Sequence, residues 1–137
     1  MVTDDVKKLL QRLNDRLTRA LEAAAGFAIT RSHYEVTLEH LLLKLLDEDG
    51  TDVSLILNHF GVDAGRLSEA LVHQLEDFRT GNAGRPAFSP TLLELFETAW
   101  LVSSVHHGYA KIRSGTLLEA MLRSDALNTA GYMEVLR

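Results

Sequence analysis

Apolar residues recur along the chain at intervals of three and four, and no run of alternating β-branched residues interrupts them, so the pattern predicts helices throughout. A first short helix, within about 3–14, puts Val6, Leu9, Leu10 and Leu13 on one face. Thr3 is its candidate cap, and Asp4 and Asp5 sit near its positive end. The chain can break at Asn14 and Asp15, and a helix over 17–30 follows. SHYE reads as a loop, and Thr37 caps an apolar helix, LEHLLLKLL, which should sit at the centre. After the acidic turn DEDGTD, Asp52 is expected to cap a helix over 53–60; Gly61 fits the position just past its end, and Asp63 caps the next helix, to about Phe78. TGNAGRPAF is the longest breaker-rich stretch. Ser89-Pro90 then gives a cap and a first-turn proline for a helix to about His106. HHGYAKIR reads as a loop, and helices over 114–122 and about 127–136 complete an all-α chain.

One stretch breaks the amphipathic rule. LEAAAGFAIT, within the 17–30 helix, is apolar nearly all the way round, and such a helix needs cover on more than one side. Leu17, Ala20, Leu21, Ala24 and Ala28 follow a core spacing, which leaves Ala23, Gly26, Phe27 and Thr30 on the other side. Either the first helix packs its stripe onto this face, or the two helices leave a groove between them with Phe27 as one wall. Phe88, just before the Ser89 cap, could complete such a groove or staple the helix that starts at Pro90. Trp100 lies amid an apolar stripe and is expected in the core.

The chain also matches itself. At an offset of 76, Leu17 meets Leu93, Ala23 meets Ala99, Val36 meets Ile112, and Leu41, Leu42 and Leu46 meet Leu117, Leu118 and Leu122. The order of helices and turns matches too. The expected organisation is a single domain over 1–137: an additional helix at about 3–14, a four-helix repeat at about 16–79, a linker at about 80–89, and a second repeat at about 90–137. That second repeat stops short of its fourth helix, so the chain is expected to be a piece of something longer.

Composition narrows the function. With 14 Lys+Arg against 19 Asp+Glu the net charge is −5, which argues against a nucleic-acid backbone as partner. Cysteine is absent, so no disulfide frame or thiolate chemistry is available. No apolar run approaches a membrane span, and the polar, acidic N-terminus is no secretory signal, so a soluble, cytoplasmic protein is expected. There is no G-x-x-x-x-G-K-[ST] loop to hold nucleotide phosphates and no G-x-S-x-G elbow. Six histidines raise the question of zinc, but no pair has the His-x-x-x-His spacing of a helical site. His40 is expected to make a buried hydrogen bond instead. The residues therefore point to a binding module with no metal and no cofactor of its own.

ALEAAAGFA, HYEVTLEHLLLKLL, FSPTLLELFETAW and IRSGTLLEAML together resemble the Clp N-terminal domain found at the front of AAA+ unfoldases of the ClpA, ClpB and ClpC type. SHYEVTLEHLLLKLL, AGRPAFSP, ETAW, KIRSGTLL and the leading DDVKKLLQRLN look most like the ClpV branch, which serves bacterial type VI secretion. The resemblance implies a domain that grips an N-terminal helix of the contracted sheath subunit, VipB/TssC. Hexameric ATPase rings elsewhere in the parent, which hold ATP and Mg, would then pull the subunit through their pore. The fragment itself would be a monomer, and an adaptor protein is a possible further partner. A general ClpB- or ClpC-type domain for unfolded clients or adaptors is the alternative. The residues expected at the peptide are Leu9, Leu10, Leu13, Ala23, Gly26, Phe27, Thr30 and Phe88.

Overall fold

The computed structural model describes residues 4–48 and 51–124. The expected cap Thr3, the middle of the acidic turn (Asp49 and Gly50) and the expected helix at 127–136 lie outside the described residues. The elements run α1 (Asp4–Leu10), α2 (Asp15–Thr30), β1 (Glu35–Val36), α3 (Leu38–Leu46), α4 (Asp52–His59), α5 (Ala64–Glu76), β2 (Ala87–Phe88), α6 (Pro90–Leu101), a π-helical turn (Val102–His106) and α7 (Ser114–Arg123).

Local chemistry places most of these boundaries. The Asn14 side-chain oxygen accepts from Leu17 N–H at 2.9 Å, and Asp63 accepts from Gly65 and Arg66 N–H at 2.9 and 3.2 Å, each satisfying donors that a helix start leaves without partners. Ser89 caps α6 with proline in its first turn. Gly61 follows α4 at φ +69°, a left-handed conformation that glycine adopts without a Cβ clash. The start of α4 differs from expectation. Its cap is Thr51, whose hydroxyl accepts from Ser54 N–H at 3.1 Å. Asp52 instead turns its carboxylate to Arg113, which donates to it from Nε and an Nη, both at 2.8 Å.

The core is one cluster built from both halves. Leu17, Leu41, Leu45, Leu71, Leu92, Phe96, Leu117 and Met121 are fully buried in or beside it. Helix α2 packs on α3, α3 on α5, α6 on α7, and α4 crosses over to α7. Among the described residues the all-α expectation is modified by β1 and β2, a parallel pair in the register Glu35–Ala87 and Val36–Phe88. Strands of two residues are too short to show a period in the sequence.

The two halves are laced together symmetrically. Val36 pairs with Phe88, and Leu13 forms a parallel bridge with Ile112. Ser89 N–H donates to Val36 C=O at 2.9 Å, and Asn14 N–H donates to Ile112 C=O at 2.9 Å. The residue before the cap of the first helix in each repeat thus pairs with the residue before the cap of the second helix in the other.

This lacing corrects the repeat alignment. Asn14 and Ser89 are equivalent caps and stand 75 apart, whereas Thr37 and Arg113, which precede α3 and α7, stand 76 apart. The buried stripe Leu17, Ala20, Leu21, Ala24 and Ala28 is therefore matched by Leu92, Leu95, Phe96, Ala99 and Ser103, not by the residues one position later. The extra residue sits in the π-helical turn, which widens the helix by one residue per turn at that point. Beyond it the geometry converges again: Ser32 at φ +55° and Gly108 at φ +67° occupy matching positions.

Candidate functional site

Helix α1 lies on α6 rather than on the apolar face of α2, which answers where its stripe goes. Between α1 and α6 runs an open groove of about 370 Å³, lined by Val6, Leu9, Leu93 and Trp100, with Asp5, Lys8, Arg12 and Glu97 among the apolar groups. The corrected register explains Trp100. It matches Ala25, on the edge of the buried stripe, so the ring is half-buried with one side turned to the groove. The Arg12 guanidinium lies 4.6 Å from the centre of that ring. The Arg12 end of the groove is fixed through two backbone carbonyls: Ile112 N–H donates to Arg12 C=O at 2.6 Å, and the Lys111 side chain donates from Nζ to Gln11 C=O at 2.6 Å.

The residues expected at a peptide site are divided by the fold. Leu9 lines the α1–α6 groove, and Leu10 is half-buried against the core beside it. Leu13 is 4% exposed and belongs to the core, because its bridge to Ile112 draws it inside. Phe88 is half-buried in β2, one residue before the α6 cap, in the position of a staple. Ala23, Gly26 and Thr30 are exposed on α2. Phe27 faces a separate cleft of about 300 Å³ with Arg31, His33, Val72, Leu75, Glu76 and Thr80, which shares no lining residue with the α1–α6 groove. Leu93, Glu97, Trp100 and Arg12 were not expected at the site; the one-residue offset in the repeat had placed Trp100 opposite a core alanine.

Behind Phe27 lies a buried polar chain. Thr37 N–H donates to His40 Nδ1 at 3.0 Å, and the Thr37 hydroxyl lies 2.8 Å from the same nitrogen. His40 Nδ1 must then be unprotonated, so the neutral ring carries its proton on Nε2 and donates to His33 Nδ1 at 2.8 Å. Phe27 and Phe78 pack against His40 at 5.8 and 5.7 Å between ring centres. Burial, and secondarily the neighbouring His33, lower the His40 pKa to about 4; burial and Arg31 lower that of His33. Both nitrogens of His40 are thus engaged, one by Thr37 and one by His33, and among the described residues no group of three or more His, Asp or Glu could hold a metal.

A wider cleft, about 490 Å³, lies between α4 and α7 over Leu55, Ile56, Leu118 and Leu122. Its His107 and Tyr109 match Arg31 and His33, which in the first repeat lie against α5. The corresponding face of the first repeat is covered by α5, which packs on α3. The size of the cleft alone does not make it the site.

The Clp repeat (R) N-terminal domain family matches residues 12–135. The chain belongs to that family. Among curated proteins it is 28% identical over 122 residues to the AAA+ ATPase ClpV1 of Pseudomonas aeruginosa and 30% identical over 124 residues to the chaperone protein ClpB of Yersinia enterocolitica. It covers 14% of the length of each, while 89% and 90% of the chain take part. Among solved structures it is similar to the ClpV N-domain in complex with a VipB peptide, at 36% identity and a TM-score of 0.83, over 93% of this chain and 78% of that one. The fold is therefore that of a Clp N-domain, as the sequence resemblance implied. Helix α1 precedes the residues that the family matches, so one wall of the groove is an addition to the common Clp repeat. Among the described residues, no helix is long and apolar enough to cross a membrane.

Proposed function

We propose that this Clp N-domain is the sheath-recognition domain of a ClpV-type AAA+ unfoldase, and that it seats an amphipathic helix from the N-terminus of a VipB/TssC-like sheath subunit between α1 and α6. The supporting observation is the open apolar groove of Val6, Leu9, Leu93 and Trp100, in a chain 36% identical to a ClpV N-domain that binds a VipB peptide. Laying an apolar helix face into such a groove is an established mode of peptide recognition. The chain contributes binding only. ATP hydrolysis, with its Mg, belongs to hexameric rings in the rest of a bacterial cytoplasmic parent, and an adaptor competes for the same face only if it presents a similar helix.

One short helix buries less than a standard interface, so the affinity should be on the order of micromolar. Several domains facing an array of sheath subunits would gain by avidity. The test is a titration of the chain with the VipB peptide, followed by NMR. Shifts should saturate and cluster on Val6–Arg12 and Leu93–Trp100. Leu93→Arg should abolish them with the thermal melt unchanged, while Phe27→Arg, in the other cleft, should leave them intact. The reverse pattern would move the seat to α2 and α5.

The similarity to ClpB favours a second reading, a general domain for unfolded clients. Deleting residues 1–10 separates the two: it removes a wall of the groove and should end specific peptide binding, whereas weak contact with many unfolded chains should survive.

A further inference from the structure

The α1–α6 groove holds a conflict that its ligand must resolve. The Arg12 guanidinium covers the Trp100 ring at 4.6 Å, and Trp100 is also one of the four apolar groups that make the groove sticky. An incoming apolar side chain needs the face that Arg12 occupies. Arg12 has no carboxylate partner among the ion pairs of the described residues. Its own backbone carbonyl is held by Ile112, so the side chain can swing but its root cannot move. Once lifted from the ring beneath a bound helix, the guanidinium loses both the ring and part of its water, and a charge in that position needs an anion.

From this we infer, building on the peptide-binding reading above, that Arg12 is a specificity-determining residue: the groove selects amphipathic helices that carry a carboxylate about one turn from the apolar residue that takes the Trp100 face. Arg12 swings from the ring to that carboxylate as the helix docks. A guanidinium suits this task because its planar fork both stacks on an aromatic ring and grips a carboxylate through two N–H donors. Lys8, one turn back in α1, adds positive charge to that wall, whereas Asp5 and Glu97 are the groove's negative groups. Glu97 is the internal competitor. It could receive the displaced Arg12 itself, and it would repel a carboxylate on the ligand.

Trp100 is the only tryptophan in the chain, so its fluorescence reports directly on the groove. The full chain is titrated with the VipB peptide, and with versions in which each Asp or Glu in turn becomes Asn or Gln. Arg12→Gln, Arg12→Lys and Glu97→Gln are titrated in parallel, with circular dichroism to confirm folding. The expected result is a saturable change in Trp100 emission and one acidic position whose amide version binds wild type about tenfold more weakly, but binds Arg12→Gln no worse than the parent peptide does. Arg12→Lys should recover only part of the affinity, and Glu97→Gln should hold it or tighten it. Additive effects of the peptide and Arg12 changes would overturn the inference while leaving the groove as the peptide site. Weaker binding by Glu97→Gln would also overturn it, naming Glu97 as the group that takes Arg12. No saturable change with wild type would remove the peptide-binding reading itself, and the inference with it.

Discussion

His33 and His40 show how a single pair of residues fixes a protonation state. Protonating His40 on Nδ1 would point a proton at the Thr37 N–H, and protonating His33 on Nδ1 would point one at the His40 N–H. Both folded-state pKa values are lowered, so the unfolded chain binds more protons than the folded one in mild acid. The pair's stability is fully present above the unfolded value near 6.5 and falls as pH drops toward 4. The slope is about 1.4 kcal/mol per pH unit for each proton taken up only on unfolding. Urea midpoints at pH 7 and pH 5 should therefore differ in wild type and draw together in His33→Phe, provided the variant folds. Equal midpoints in wild type would mean that the pair is not held neutral. At the same scale, Arg113→Ala should cost about 1 kcal/mol, because its bidentate bond to Asp52 is half exposed and joins α4 to the start of α7. A urea melt reads it directly.

At the scale of elements, the sequence announced its helices through caps and apolar spacing. Asn14, Asp63 and Ser89-Pro90 marked three starts, and Gly61 an end. Asp52 misled because either it or Thr51 could cap α4, and only the distant Arg113 decides between them. The buried face of α2 was legible from spacing, but the site was not. Its walls come from α1 and α6, far apart in sequence, and nothing local tells α1 to lie on α6 instead of on the bare face of α2. Trp100 was hidden for a different reason: a one-residue insertion inside a helix leaves composition and period almost unchanged, yet rotates every assignment before it by one position. That insertion yields a further expectation. Repeat one reaches the same downstream geometry without the extra residue, so deleting the exposed Val105 should convert the π-helical turn to α-helix. The fold should survive with a loss of about 1 kcal/mol or less, against collapse for deletion of the buried Leu95. Helical content and the thermal midpoint of both deletions would check this.

For the whole molecule, the paired bridges Leu13–Ile112 and Val36–Phe88 mean that neither repeat closes its own structure. Separate chains of residues 1–80 and 81–137 should each be largely unfolded alone and gain helix when mixed, seen as circular dichroism beyond the sum of the parts. Two independently folded halves would contradict the shared core. The same lacing bears on load. Helix α1 comes first in the chain, but it rests on α6 and is tied to Ile112 ahead of α7, so as a mechanical part it belongs to the second repeat. Tension on a helix gripped between α1 and α6 would enter both jaws on that side at once and reach α7 through the Leu13–Ile112 bridge. It would not have to travel through the long α2 helix to get there.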